Sequence, residues 1–490
     1  MAANESRAFL NHTLWSEHLC SGGWRAASAT LDVLEPATGA VLSRTGLANP
    51  ADVATAAAAA AAAQAAWAAV PPRERAAVFQ RAAALFQQHF DELALYVTRE
   101  TGAILPKGQH EIREAVVFCN LAAGMPLQAQ GQVLASTPGR LSIARRVPHG
   151  VVGVIAPFNF PLILTLRVVA PALAAGNAVV IKPDPRTPVS GGMLIAQVFE
   201  QAGLPAGVLH VLPGGADVGE ALVTDPNVAM ISFTGSAGVG RRIGELAGKH
   251  LKKVSLELGG NNALVVLEDA DLDLAASNIA WGAWLHQGQI CMASNRVLVH
   301  ESIAAAITER LVGKATHLPV GDGATGQVAL GPLIDERQRD RVHATVQASV
   351  KAGARLLAGG TFDKLFYMPT VLADVKPGMP SFDGETFGPV VNLATFKTDD
   401  EAVALANHGS GGLAAAVISR SVGRATAIAN RLRAGMVHVN DQTVNDDATN
   451  PFGGPGIAGN GNSHGGPGDW EQFTTWQWLT VKDTPPQFPF

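Results

Sequence analysis

Three short segments carry residue types that could perform chemistry together. Cys291 ends QGQIC, Glu257 lies near the end of the apolar run KKVSLELGG, and Asn159 lies between two phenylalanines in PFNFP. A thiolate can attack a carbonyl carbon, a carboxylate can take a proton from water, and an amide N–H can bind an oxyanion. Each also has a structural interpretation, because a free cysteine is often a buried hydrophobe, a strand-end acid often has a structural role, and a buried amide often satisfies a carbonyl.

A second set of residues is typical of a nucleotide site. FTGSAGVG, residues 233–240, is a glycine-rich turn between a predicted strand and a predicted helix. Free N–H groups at a helix N-terminus attract phosphate. Lys182 follows the apolar strand NAVVI, where its ammonium either contacts a ribose or phosphate oxygen or stays solvated. The literal G-x-G-x-x-G in GPGIAG, residues 454–459, is rejected because it contains Pro455 and follows a loop rather than a strand.

These segments follow predicted strands of an α/β fold. Between residues 150 and 270, β-branched runs begin roughly every 20 to 30 residues and alternate with helical stretches, which predicts a parallel sheet with helices on both faces. Ligands bind beyond the carboxyl ends of such strands, so PFNFP, KPDPRTP and FTGSAGVG should converge on one crevice. A second alternating block after Cys291 predicts a second α/β domain.

Composition argues against several classes of partner. The chain has 490 residues, a net charge of -5 and no basic block, so we expect neither a nucleic-acid nor a membrane partner. The alanine-rich segment 51–70 predicts a helix packed in a soluble protein, because alanine is only mildly apolar and Gln64 interrupts the run. Cys20, Cys119 and Cys291 are too far apart for a disulfide framework or a metal site, so we expect no metal and a cytoplasmic location.

Six motifs in order make the chain resemble the aldehyde dehydrogenase superfamily: PFNFP, FTGSAGVG, LELGG, QGQIC, ETFGPV and NPFGG. PFNFPLILTLR, KPDPRTP and NDQTVND together are most similar to the bacterial benzaldehyde dehydrogenase group. The resemblance covers nearly the whole chain and implies a Rossmann-like cofactor domain, an α/β catalytic domain and an oligomerisation arm. The implied boundaries are 1–125, 147–257 and 437–469 for the cofactor domain, 258–436 for the catalytic domain, and 126–146 with 470–490 for the arm.

The resemblance also implies a role for each site residue. Cys291 matches the nucleophile, Glu257 the general base and Asn159 the side chain that binds the oxyanion. The implied cofactor is NAD, with NADP as a second possibility, bound by Ile155, Ala156, Pro157, Phe158, Lys182, Gly214, Gly219, Phe233, Thr234, Gly235, Ser236, Val239, Leu258, Glu385 and Phe387. An apolar substrate tunnel beside the catalytic groups is expected to contain Phe160, Leu164, Arg167, Leu285, Ile290 and Met292.

Two departures from the family pattern affect these expectations. Many members carry a glutamate three residues after the lysine, whereas this chain has Pro185 followed by Arg186. Losing that acid weakens a barrier to a 2′-phosphate, so NADP could be tolerated. The usual lysine and serine after PFGG are replaced by Gly456 and Ala458, which leaves the role of that loop open.

The predicted reaction is the NAD(P)-dependent oxidation of an aromatic aldehyde to its acid, through a thiohemiacetal and an acyl-thioester on Cys291. Two neighbouring anions raise each other's pKa, so Glu257 is expected to act mainly later, on the hydrolytic water. Arg167 supports a rival semialdehyde dehydrogenase if it binds a substrate carboxylate, and the alternative is an ion pair with a protein acid. A non-catalytic binding protein on this fold is a further hypothesis.

Exposed C-terminal strands and tryptophans predict a homodimer or homotetramer.

Overall fold

The computed structural model describes residues 9–10, 12–409 and 412–490. Two seven-stranded sheets form its main body, and each lies between layers of helices. The α/β class predicted from the alternation of strands and helices is confirmed. Within the described part of the chain, no single helix is long and apolar enough to cross a membrane; Pro50–Ala68 and Pro72–Gln88 meet that criterion only as a pair, which is bent by 116°.

The first sheet contains five of the predicted strands. Its order is Lys253–Leu258, Val228–Gly235, Val151–Ile155, Ala178–Lys182, Leu209–Val211, His18–Cys20 and Trp24–Ala26. The first five strands are parallel, and the last two are added by antiparallel pairing. Val151 and Ile155 pack on one face, and Val152 and Val154 pack on the other. Burial on both faces explains why these strands are continuously apolar.

Helices cover both faces of this sheet. On one face lie Pro72–Gln88, Phe90–Thr101, Leu105–Gly124, Pro161–Ala174 and Leu194–Gln201. On the other face lie Pro50–Ala68, Ala216–Thr224 and Ala237–Lys249. The alanine-rich segment is therefore a packed helix, as predicted, and its small side chains Ala56, Ala57 and Ala60 are fully buried.

The second sheet follows the same plan. Its order is Arg355–Ala358, Thr370–Ala373, Val390–Phe396, Arg296–His300, Ala263–Val266, Gly412–Ile418 and Ala434–Val439, and only the first pair is antiparallel. One face carries Leu272–Trp284 and Ala304–His317; the other carries Glu336–Lys351, Pro380–Asp383, Asp399–Ala406 and Val422–Ala429. The run ALVVLED, which the sequence grouped with the first sheet, forms the strand Ala263–Val266 here.

A separate antiparallel sheet is formed by Thr474–Val481, Leu141–Pro148 and Gly131–Val133. Two hairpins pair Ala29–Leu34 with Val41–Leu47 and Phe362–Asp363 with Phe366–Tyr367. The remaining helical segments are short: His12–Trp15, Met125–Leu127, Val189–Met193, Leu285–Gly288, Glu301–Ile303 and Gly468–Phe473.

Candidate active site

The carboxyl edge of the first sheet brings the predicted loops together. Ile155 pairs with both Lys182 and Phe233, and Thr234 pairs with Glu257. Parallel strands in register end at the same edge, so the segments that follow them share one side of the sheet. The strand ends and loops placed there are Ile155, Ala156, Pro157, Phe158, Lys182, Phe233, Thr234, Gly235, Ser236 and Leu258.

Cys291 lies in a turn that is held by side chains from elsewhere. His286 and Gln287, just before it, adopt left-handed φ angles of 47° and 56°, a strained conformation for residues other than glycine. The Gln287 amide donates to two distant backbone carbonyls at 2.9 and 2.7 Å. The Asn262 amide donates to the Cys291 carbonyl at 2.8 Å. These bonds position the thiol, and the sequence analysis singled out neither amide.

Asn159 points toward the same turn. It is buried, and its Nδ2 donates to the carbonyl of Gln289, two residues before Cys291, at 2.9 Å. This bond uses one of the two N–H groups of the amide. Within the described residues, the Cys291 backbone N–H donates to no acceptor. The turn therefore combines a buried amide and a free backbone donor close to the thiol.

Glu257 is a buried carboxyl group without a partner. Its exposed fraction is 4%, and neither oxygen accepts a hydrogen bond from the part of the chain that the structure describes. Burial raises the pKa of Glu257 well above its usual value, and the positive charge of Arg167 opposes that rise. A Cβ at Gly453, in the NPFGG motif, would lie 3.1 Å from Glu257 Oε1, so glycine leaves room for the carboxyl group.

The surroundings of Cys291 disfavour its ionised form. Burial raises the pKa of the thiol to about 12, and the carboxyl groups of Glu385, Glu257 and Asp446 add to the rise. Arg167 acts in the opposite direction. A thiol in this environment is protonated at neutral pH, so attack on a carbonyl requires compensating positive charge.

Arg167 lies on the helix Pro161–Ala174 with its guanidinium between two aromatic rings. Its Cζ is 5.3 Å from the Phe118 ring centroid and 4.2 Å from that of Phe452. Its Nη2 donates to the carboxylate of Asp446, in the NDQTVND segment. Its Nε and Nη1 are buried without a hydrogen-bond partner among the described residues. The ion pair with a protein acid, one of the two alternatives for Arg167, is therefore present.

Four of the six expected substrate residues pack around Cys291. Phe160, Leu285, Ile290 and Met292 belong with it to one apolar cluster, which also contains residues that the sequence analysis missed: Leu413, Met436, Val444 and Phe452. Leu164 packs instead in the helical core of the first sheet. Leu413 and Met436 come from the second sheet, and Val444 and Phe452 come from the motifs NDQTVND and NPFGG.

Two of the helix N-termini at the sheet edge are closed by buried carboxylates. Glu111 accepts from the first N–H groups of Pro161–Ala174 at 3.0 and 3.1 Å, and Glu100 accepts from those of Val189–Met193 at 2.9 and 2.7 Å. At Ala237–Lys249, by contrast, the Ser236 hydroxyl caps the Val239 N–H through a long 3.5 Å contact. Only this N-terminus, among the three, is free of a buried carboxylate, and the other two are closed to an anion.

Lys182 lies close to Gly219 of the helix Ala216–Thr224. The Lys182 ammonium donates to the Pro183 carbonyl at 3.1 Å, and burial lowers its pKa. A Cβ at Gly219, in the helix Ala216–Thr224, would lie 3.7 Å from Lys182 Cδ and 3.9 Å from Ile155 Cδ1. Gly214 lies just before that helix and packs against Val218. Gly219 therefore lies in van der Waals range of two expected cofactor residues and adds no side chain there.

The segment ETFGPV reaches the site from the second sheet. Glu385 and Phe387 line a pocket with Ile290, beside the cysteine turn. Burial raises the pKa of Glu385 to about 7, and its Oε1 accepts no hydrogen bond from the described residues. The Phe387 and Phe158 rings lie 5.9 Å apart at 76°. These residues, the open N-terminus and Lys182 supply the donor, acceptor and apolar surfaces that a dinucleotide requires, so the site fits one.

Comparisons with known proteins agree with this geometry. Residues 24–479 match the Aldehyde dehydrogenase family. A vanillin dehydrogenase of Amycolatopsis sp. is 54% identical over 99% of this chain and 100% of its own length, and a benzaldehyde dehydrogenase [NAD(+)] of Pseudomonas putida is 50% identical over 97% and 98%. The crystal structure of betaine aldehyde dehydrogenase from Staphylococcus aureus in complex with NAD+ superposes with a TM-score of 0.94 at 28% identity, covering 99% of both chains. The chain belongs to the aldehyde dehydrogenase family.

Proposed function

We propose that this protein oxidises aromatic aldehydes to carboxylic acids with NAD as the hydride acceptor. The observation that carries the proposal is the placement of Cys291 in an apolar cluster, together with the buried amide of Asn159 and the buried, unpartnered carboxyl group of Glu257. Relatives that act on vanillin and benzaldehyde, at 54% and 50% identity, support an aromatic substrate. The residues Phe160 and Phe452 offer ring surfaces beside the thiol.

In the proposed reaction, the Cys291 thiol gives its proton to solvent, Sγ attacks the aldehyde carbon, and the carbonyl π electrons move to oxygen. The Asn159 amide and the Cys291 N–H donate to that oxyanion, and one such donor typically contributes ~2.7 to 4 kcal/mol. When bound, NAD+ would supply the acceptor for the hydride that leaves the same carbon. Glu257 then takes a proton from water, which attacks the resulting thioester. The carbon–sulfur bond breaks, and the acid leaves as the thiol takes up a proton.

Arg167 is proposed to favour the charged forms that this chemistry needs. Its positive charge lowers the pKa of both Cys291 and Glu257, against the effect of burial on each group. Because the two anions oppose each other, the thiolate and the Glu257 carboxylate are used at different steps. Glu257 therefore acts after acylation, as the sequence predicts.

The cofactor is proposed to be held along the carboxyl edge of the first sheet. The open N-terminus of Ala237–Lys249, with Ser236 and Val239, would bind the pyrophosphate, since the two neighbouring helix N-termini already hold Glu111 and Glu100. Lys182 and Glu385 would bind ribose hydroxyl groups. The other expected cofactor residues would contribute apolar walls and backbone groups around them.

NAD is favoured over NADP by the surroundings of Arg186. The sequence left NADP open because Pro185 replaces an acid. Arg186 is held by Asp184, with Nε and Nη2 contacts of 2.8 Å, and by Asp335 at 2.8 Å, and it stacks on Phe158 at 4.0 Å. A guanidinium with two carboxylate partners is not available to a 2′-phosphate, and Asp184 adds negative charge near Lys182.

Whole-molecule properties belong to the same proposal. We propose the division into cofactor domain, catalytic domain and arm given by the sequence, a homodimer or homotetramer, and work in the reducing cytoplasm. The separate three-stranded sheet with exposed Trp476 and Trp478 supports the arm and the oligomer. The free thiols of Cys20, Cys119 and Cys291 support a reducing compartment.

A panel of aldehydes tested with NAD and with NADP, followed by the absorbance of the reduced cofactor, tests this proposal. We expect the highest kcat/KM with benzaldehyde-like substrates and NAD, and no turnover by Cys291→Ala. Preference for succinate semialdehyde would instead support the semialdehyde rival, in which Arg167 binds the substrate carboxylate. Folded, cofactor-binding protein that reduces no cofactor with any aldehyde would support the non-catalytic hypothesis.

A further inference from the structure

A buried ion pair lies behind the oxyanion loop and takes no part in the chemistry proposed above. Lys107 and Glu111, one turn apart on Leu105–Gly124, contact each other, and their side chains are 3% and 0% exposed. Burial lowers the pKa of Lys107, and the charge of Glu111 opposes that effect. Burying two charges costs free energy that packed apolar residues would not, so the position of the pair calls for an explanation.

Glu111 is bonded to the start of the helix that carries the site. Its second oxygen accepts from the N–H groups of Leu162 and Ile163, at 3.0 and 3.1 Å. These are the first turn of Pro161–Ala174, and Asn159 and Phe160 immediately precede it. Glu111 thus fixes the backbone from which the oxyanion amide projects.

Lys107 acts on the adjacent ring. Its Nζ lies 4.5 Å from the centroid of Phe160, in cation–π contact. The same ring lies 5.4 Å from the imidazole of His286, with 73° between the planes. His286 is 1% exposed and lies five residues before Cys291, in the strained turn. Phe160 is therefore held between the ion pair and the turn that carries the nucleophile.

We infer that Lys107 and Glu111 are positioning residues, which set the distance between the Asn159 amide and Cys291 by fixing Phe160 against His286. This inference rests on the proposed role of Asn159 in binding the oxyanion. The two loops come from different sheets, and a misplacement of about 1 Å between reacting groups can lower a rate by about a hundredfold. The ion pair contacts both the start of the helix Pro161–Ala174 and the ring of Phe160. The Asn159 loop and the cysteine turn are therefore held in a fixed relative position.

The test compares three variants of the full-length protein with benzaldehyde and NAD. Lys107→Met leaves Glu111 buried without its partner and can unfold the protein, so Lys107→Met/Glu111→Gln is the main variant: the glutamine oxygen still accepts from the helix start. We expect this double variant to lose about tenfold or more in kcat, with little change in the Kd for NAD and in Tm. Lys107→Arg, which keeps a cation, should recover part of kcat.

The matched control is Arg75→Met, which removes a buried cation from the helix Pro72–Gln88. Arg75 is buried and donates to the carbonyl of Ala68, the last residue of the helix Pro50–Ala68. We expect Arg75→Met to lower Tm and to leave kcat near that of the wild type. An active wild type with an equally active, folded Lys107→Met/Glu111→Gln variant would overturn the positioning role. No turnover by the wild type with any aldehyde would overturn the proposed function as well.

Discussion

Arg167 links the acidic groups of the site. Its Nη2 holds Asp446, while its charge lowers the pKa of Cys291 and Glu257. Asp446 in turn raises the pKa of the thiol. The pKa of Cys291 therefore depends on Arg167, which lowers it, and on Asp446, which raises it. A change at either residue should alter the pH dependence of the reaction.

Arg167→Gln should shift the rising limb of the kcat/KM profile to higher pH. The arginine charge favours the ionised thiol and carboxyl groups, so its removal raises both pKa values and less of each active form exists at neutral pH. Steady-state rates across a pH series measure the shift. Arg420→Gln, which removes an exposed arginine 3.7 Å from Asp271, is the control and should leave the profile unchanged. An unshifted Arg167→Gln profile would contradict the electrostatic role.

Asn159→Ala should lower kcat by about a hundredfold or more, because one oxyanion donor is lost. The Kd for NAD should stay close to that of the wild type, since the amide faces the cysteine turn through Gln289. Stopped-flow measurement of the first turnover would place the defect in acylation. Asn278→Ala removes an exposed amide from Leu272–Trp284 and serves as the control. Wild-type turnover by Asn159→Ala would refute the role.

At the scale of elements, three of the helices that follow strands of the first sheet differ at their N-termini. Two begin on the buried carboxylates of Glu111 and Glu100, and Ala237–Lys249 begins on the Ser236 hydroxyl. The helix macrodipole is equally positive in each case, so what decides anion binding is whether a protein acid already occupies the end. The glycine-rich turn follows a strand whose helix begins without a buried acid.

Val239→Asp should weaken NAD binding without destabilising the fold. Val239 is 51% exposed in the first turn of Ala237–Lys249, where a carboxylate interacts favourably with the helix dipole. The same charge repels a pyrophosphate, so we expect the Kd for NAD to rise by about tenfold or more, with Tm unchanged or higher. Titration of cofactor fluorescence and thermal melting measure the two effects. Val239→Thr, similar in shape and uncharged, is the control. Unchanged affinity in Val239→Asp would place the pyrophosphate elsewhere.

For the molecule as a whole, the three-stranded sheet leaves large apolar side chains exposed in the single chain. Val133 is 76% exposed and Trp478 is 67% exposed, on its two outer strands. Their apolar surface faces solvent in the single chain, although the strands themselves are paired. Exposed apolar strands at a sheet edge are typical of a subunit interface.

Val133→Lys/Trp478→Lys should therefore reduce the size of the assembly. We expect the wild type to elute as a dimer or tetramer and the double variant as a smaller species, because two ammonium groups would be buried in the interface. Light scattering coupled to size exclusion measures the mass. Val422→Lys, at a position 58% exposed on a helix that packs on the second sheet, is the control. A monomeric wild type would contradict the expected oligomer.

The sequence by itself determined the α/β class, five strands of the first sheet and the family. These properties follow from local patterns, which are the hydrophobic periodicity, the β-branched runs and the order of the motifs along the chain. It placed Cys291 after a predicted α/β block and Glu257 near a strand end. The structure brings Asn159 to the cysteine turn through Gln289, and Glu257 close enough to Cys291 to raise the pKa of the thiol.

Only the tertiary structure decided which residues from distant segments share the site. Asp446 contacts Arg167 across 279 positions, and Asn262 holds the cysteine turn from the loop before the strand Ala263–Val266. Leu413 and Met436 join the apolar cluster from the second sheet. The sequence also grouped ALVVLED with the first sheet, because spacing shows that a strand exists and not which sheet it joins. Long-range pairing and burial set these contacts, and with them the pKa values of Cys291 and Glu257, which no local pattern encodes.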